Sequence, residues 1–223
     1  MTFYAELTRA TASERQHLLA APLITSALND TISLTDYVAF LTQAYHHVKH
    51  TVPLLMATGA RLPESAEWLR DAVAEYIEEE LGHQEWILND IGACGFDREA
   101  ARRSTPSTAT EVMVAYAYDL INRVNPIGFF GMVFVLEGTS TAVATQAATR
   151  IRKHLDLPAS AFSYLTSHGA LDIEHMKFFE QLMNRITEPG NQELIVHSAK
   201  IFFTLYGNIF RTLPVPEFIR KAA

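Results

Sequence analysis

Gly128-Phe129-Phe130-Gly131-Met132-Val133-Phe134-Val135-Leu136-Glu137-Gly138 is apolar on every side and carries one charge, Glu137. A helix with no polar face belongs in the centre of a structure, so this stretch predicts a buried central helix over about Ile127 to His154. Asn125-Pro126 separates it from a preceding helix, roughly Ser107 to Arg123. Further out the same punctuation recurs: long apolar periodicity near 3.6, broken by Pro, Gly and Asn, with no convincing alternation of apolar and polar residues. Ser33 with Asp36 makes a capping pattern for a helix running to about Thr58, kinked at Pro53 and ended by Gly59. A second helix is predicted from near Pro63 to about Ile91, with Gly92 as its stop, and Gly95–Ser107 is predicted to be a longer connection. Pro158 and Pro189 stand where a first helical residue is favoured and open the last two long helices. Pro22, Asn29 and Thr31 mark shorter breaks near the start. The expectation is an all-α bundle of about seven or eight helices in one domain.

Composition narrows the class. The chain has 223 residues, 48% of them hydrophobic and 19% charged, a globular balance with enough length for a substantial core. A net charge of −7 argues against nucleic acid or an anionic membrane as the main partner. Cys94 is the single cysteine, so one chain has neither a disulfide framework nor an iron–sulfur or zinc cysteine site. No basic-then-apolar leader opens the chain, and no apolar run reaches the roughly 18 residues of a membrane span. A cytoplasmic protein is expected.

Three pieces carry the chemistry. His168, Asp172 and His175 stand at i, i+4 and i+7. At about 100° per residue they form one narrow stripe, two imidazoles with a carboxylate between, which is a chelating row for a hard or borderline metal. Glu80 and His83 are i, i+3 neighbours in Glu78-Glu79-Glu80-Leu81-Gly82-His83, the Glu-x-x-His arrangement by which bundles project two ligands inward. Glu79, four residues before His83, is an alternative for that role, and a run of three glutamates is also what a solvated helix face looks like. Glu137, the lone charge of the central helix, must stay protonated, meet a cation, hydrogen-bond to a neighbour or bind a metal, because an unpaired buried carboxylate costs several kcal/mol. Arg123 is the nearest cationic candidate in sequence and lies more than three turns away. The six residues amount to three carboxylates and three histidines on three helices, a donor set suited to two octahedral irons with positions left open. The ferritin-like pattern wants two Glu-x-x-His motifs, and this chain has one.

With these motifs the sequence resembles the heme-oxygenase-like di-iron oxidases and oxygenases, the iron-containing redox enzymes. They share a fold with heme oxygenase, the thiaminase-related proteins and the pyrroloquinoline quinone synthase-like proteins. In that family one core helix supplies a Glu and a His, the next a Glu, and a third His-x3-Asp-x2-His. Residue by residue, the resemblance implies Glu80 and His83, then Glu137, then His168, Asp172 and His175 as metal ligands, over about residues 33 to 186. The first Glu is the least specific, since family members place it at more than one distance before the His. The resemblance implies two Fe(II) ions reacting with O2 to oxidise a small organic substrate. The outcomes known in the family include N-oxygenation, C–C cleavage of amino or fatty acids and oxidation of the protein's own residues. A homodimer is common for the fold, and the sequence itself leaves the oligomeric state open.

Tyr45-His46-His47-Val48-Lys49-His50 adds three histidines on an earlier helix. His46, His47 and His50, with Lys49, are candidates to orient the iron ligands or to bind a substrate carboxylate. One of the histidines is also a candidate axial ligand for heme, and a polar helix face with one buried His explains the cluster equally well. A heme-binding or heme-degrading protein, and a cofactor-free or thiaminase-like relative, are therefore the alternatives. The thiaminase-like reading needs an activated cysteine, and Cys94 falls in an expected connecting loop. Phe202, Phe203, Tyr206 and Phe210 on the last long helix suit either an ordinary core or the wall of an apolar substrate tunnel.

Overall fold

The computed structural model describes residues 1–220, with the backbone alone for 168–175, and every regular element among the described residues is helical. Three short helices open the chain, α1 (Phe3–Ala10), α2 (Ala12–Leu19) and α3 (Pro22–Leu28). They are followed by α4 (Leu34–Val48), α5 (Thr51–Arg61), α6 (Leu69–Glu80), α7 (His83–Ala93), α8 (Arg98–Arg103) and α9 (Thr108–Asp119). The long helices α10 (Phe130–Leu155), α11 (Ser163–Arg185) and α12 (Pro189–Arg211) come last, before a final turn, α13 (Glu217–Arg220). The all-α expectation holds, and the helices are shorter and more numerous than the punctuation suggested.

The reasons are local. Ser33 caps α4 as expected, its Oγ accepting from the Asp36 N–H at 3.1 Å. Pro53 does more than kink: its ring excludes the carbonyl of residue i−4, Lys49, and the helix breaks at Lys49–His50, leaving Pro53 in the first turn of α5. Gly59 does not end that helix. It lies inside α5, where an added Cβ would stand 3.1 Å from Val73 Cγ1, so the glycine permits α5 and α6 to close up. The predicted helix from Pro63 to Ile91 is cut at Leu81–Gly82, where Gly82 takes φ +90°. Gly92 sits within α7, and the left-handed turn belongs to Gly95, φ +86°. The expected connection Gly95–Ser107 contains α8, capped by Asp97 and clamped to α7 by Arg102, which donates to both Glu85 oxygens at 2.8 Å.

Apolar burial organises these helices into two clusters. One gathers α5, α6, α9, α10 and α12, and the other α4, α7 and the start of α11. Helix α10 packs most extensively on α11 and next on α12. Against α12 the approach is very close: a Cβ on Gly131 would meet the Ala199 amide nitrogen at 2.7 Å, and Ser198 Oγ donates to the Gly128 carbonyl at 2.8 Å. The segment Pro126–Leu155 is long and apolar enough by composition to cross a membrane, contrary to the expectation, with mean hydropathy 1.5. Most of that apolar window is buried inside the bundle, as a central helix requires.

Candidate metal centre

Glu80 and Glu137 line the same cavity. It has a volume of about 80 Å³ and also takes its wall from His47, Tyr76, Tyr164 and Tyr206, among others. Helices α4, α6, α10, α11 and α12 therefore all face it, which is the geometry by which a bundle turns side chains from distant sequence toward one interior. Glu137 is half-buried rather than fully enclosed, since its helix face opens onto this cavity. Arg123 is not its cation and instead pairs with Asp119 at 3.0 Å.

The break at Gly82 reshapes the Glu80–His83 pair. Glu80 closes α6 and His83 opens α7, so the two do not ride one continuous helix face. They meet nonetheless, with His83 Nδ1 3.0 Å from Glu80 Oε2. A carboxylate can only accept, so Nδ1–H donates, and in the neutral ring Nε2 keeps its lone pair. That is the arrangement in which a carboxylate orients a ligating imidazole. His83 is buried and lies against Trp86 with ring centroids 4.1 Å apart. Glu79 is half-buried and Glu78 exposed; of the three consecutive glutamates, Glu80 is the one on the cavity wall. The site is electronegative: burial raises the Tyr76 hydroxyl pKa well above its ordinary value, and the charges of Glu137, Glu79, Glu75 and Glu80 push the same way.

His168, Asp172 and His175 fall in α11, but their side chains lie outside the described residues. Their helix runs beside α10, the carrier of Glu137. Among the described residues no three His, Cys, Asp or Glu side chains gather tightly enough to hold a metal by themselves. The carboxylate oxygens of Glu80 and Glu137 and the imidazole nitrogen of His83 are donor types that iron accepts.

The histidine cluster divides. His47 is buried, lines the cavity and contacts Tyr206 edge-on, centroids 5.7 Å apart. His46 points elsewhere. Lys49 Nζ stands 3.3 Å from its Nδ1, and an ammonium can only donate, so Nδ1 accepts. Nε2–H then donates to Ser104 Oγ at 2.9 Å, and that hydroxyl donates to the Ala101 carbonyl at 2.7 Å. Burial, reinforced by the Lys49 and His50 charges, lowers the His46 pKa to about 4. His50 Nδ1 is 3.2 Å from Tyr118 Oη on α9. Lys49 and His46 are therefore joined to each other and to α8, not to the carboxylates.

One feature has no local signature in the sequence. Asp90, fully buried on α7, accepts from the Ser163 N–H at 3.0 Å, from the Ser163 hydroxyl, and from the Tyr164 N–H at 2.9 Å. It caps α11 from another helix, and no local spacing signals a cap supplied 73 residues away. Cys94 caps the C-terminus of α7, in the turn that leads to α8; it is buried, and burial with the Asp90 charge pushes its thiol up to about 12. A thiol so placed is not an activated nucleophile.

Known proteins bear on this arrangement. The sequence model of the family described as "iron-containing redox enzyme" matches residues 38–207. No curated protein matches the sequence. A domain of unknown function with a heme oxygenase-like fold from Shewanella denitrificans superimposes with TM-score 0.83 at 22% identity, over 96% of this chain and 92% of that one. A TenA homologue from Pseudomonas syringae pv. tomato gives 0.77 at 10% identity, over 95% and 91%. Heme oxygenase from Leptospira interrogans gives 0.76 at 16% identity, over 96% and 100%. At these identities the likenesses establish the heme oxygenase-like fold.

Proposed function

Since the chain belongs to the iron-containing redox enzyme family, we propose that it is a non-heme di-iron, O2-dependent oxidase or oxygenase of a small organic substrate. The observation that carries this reading is the shared cavity of Glu80 and Glu137, on helices far apart in sequence, with His83 held against Glu80. The residues that would hold the irons are Glu80, His83, Glu137, His168, Asp172 and His175. When bound, iron supplies the electrons and open coordination positions for O2 chemistry.

The described residues have definite parts in this. Glu80 accepts a hydrogen bond from His83 Nδ1–H and so fixes the tautomer in which Nε2 carries the lone pair that would ligate iron. Tyr76, Met132, Val133 and Leu136 form apolar wall around the carboxylates and limit water there. Asp90 fixes the first turn of α11, and with it the direction in which the helix carrying His168, Asp172 and His175 leaves α7. Substrate and O2 are the expected partners.

Heme is a second reading, and His47 favours it as a buried imidazole on the cavity wall. One experiment separates the two: iron content after anaerobic Fe(II) loading and desalting, wild type beside His168→Ala, with an absorption spectrum on admitting O2. The di-iron reading expects one to two irons per chain, lost in the variant, and no Soret band. Absence of retained iron, or a Soret band on adding heme that disappears in His47→Ala, would overturn it.

A further inference from the structure

A second chamber, also of about 80 Å³, adjoins the carboxylate cavity, and Ser140, Tyr164 and Tyr206 line both. Beyond that shared wall the chamber runs between α3, α4, α10 and α12, past Ala27, Phe40, Ala144, Ala147, Ile151 and Phe210. None of its described wall residues is charged. Its two other hydroxyls are already committed: Thr139 donates to the Val135 carbonyl at 2.6 Å, and Tyr37 donates to the Ala161 carbonyl at 2.7 Å. Polar groups thus gather at one end, around Glu80, Glu137 and the shared wall, while the other end presents hydrocarbon. All four aromatic residues Phe202, Phe203, Tyr206 and Phe210 of α12 are buried, and of these Tyr206 and Phe210 line this chamber.

We propose that this chamber is a hydrocarbon subsite, holding a slim apolar chain of a substrate whose polar head sits in the carboxylate cavity. As to the reacting end, the proposal rests on the oxidase reading above. An amphipathic molecule matches both ends at once: its head meets polar groups, and its chain leaves water without stranding a donor or acceptor. The space comes from alanines at 144 and 147, one turn apart on α10, where any larger side chain would occupy it.

The test uses the metal-free protein and straight-chain primary alcohols from butanol to decanol, measured by calorimetry. A neutral head keeps the reading independent of iron. Affinity is expected to rise about fourfold per methylene, the value of burying one CH2, and to level off once the chamber is full. Ala144→Phe should abolish that rise at a shorter chain length, and Ala147→Phe serves as the second variant where circular dichroism shows the first to be unfolded. Neither residue lines the carboxylate cavity, so iron uptake should stay at the wild-type level in both. Affinity independent of chain length, or a length dependence unchanged in folded variants, would overturn the subsite. Iron retention with no length dependence fails the subsite alone. A length dependence removed by the variants, in a protein that retains no iron, supports the subsite and fails the di-iron reading.

Discussion

Asp90 of α7 caps α11 at Ser163, one carboxylate oxygen accepting from both the backbone N–H and the hydroxyl of that residue, while its other oxygen takes the Tyr164 N–H. The same helix α7 begins with His83, so one short helix both presents an imidazole to Glu80 and pins the origin of α11. Asp90→Ala takes the acceptor from the half-buried Ser163 N–H and the buried Tyr164 N–H. An expected loss of about 3 kcal/mol follows from the cost of unsatisfied donors and of a missing cap. Asp90→Asn keeps one good acceptor and should lose about half as much. Urea denaturation of both variants checks this, and equal stability of Asp90→Ala and wild type would refute it.

Gly131 is where α10 and α12 touch. A methyl group there would overlap Ser198 Oγ and stand 2.7 Å from the Ala199 nitrogen and 3.0 Å from the Ile195 carbonyl. Gly131→Ala should destabilise by about 1–3 kcal/mol, the usual cost of overpacking. Adding Ser198→Ala should not restore stability, because the remaining obstacles are backbone atoms. A thermal melt of the single and double variants reads this out, and full rescue by the second change would show that the contact lies in the side chain alone.

Gly82 joins the Glu80 and His83 helices at φ +90°. Nothing lies within 4 Å of an added Cβ, so a substitution there meets backbone strain and no steric obstacle. Gly82→Ala should cost about 1–2 kcal/mol, and Gly82→Asn less, since asparagine tolerates left-handed backbone better. If the two variants melt alike, the turn is not under the constraint described. The His83 imidazole NMR resonances should move in both, because the turn sets the 3.0 Å approach to Glu80.

His46 makes stability depend on pH. Folding lowers its pKa from the ordinary 6.5 to about 4, through burial and the Lys49 and His50 charges. Between those values the unfolded chain binds the proton and the folded protein does not, so stability falls as pH drops from 6.5 toward 4. His46→Gln should flatten that part of the profile, and Lys49→Met should flatten it partly. The check is the urea midpoint measured from pH 7 to 4; an equally steep decline in His46→Gln would assign the effect to another group.

The legible parts of this protein were those written in local pattern. The apolar run around Glu137 identified the central helix because a helix without a polar face has no place at the surface. The Ser33 cap and the Asn125-Pro126 boundary were readable for the same reason, as each acts within a few residues. Helix continuity was harder. Gly59 and Gly92 look like Gly82 and Gly95 in sequence, yet the first two lie within helices and the second two turn left-handed. At Gly59 the difference is a partner element: Val73 on α6 requires the missing Cβ.

Composition and periodicity by themselves determined an all-helical chain with Glu137 alone on its most apolar helix. Only the tertiary structure decided that Glu80 shares a cavity with Glu137, that His47 faces it while His46 is tied to Lys49 and Ser104, and that Asp90 caps a helix 73 residues away. Helical propensity and amphipathicity are read over a few turns of one segment, whereas a cavity wall or a cap in trans depends on which faces of separate helices meet. That meeting is set by packing, here by the close approach of α10 to α12 at Gly131 and of α5 to α6 at Gly59.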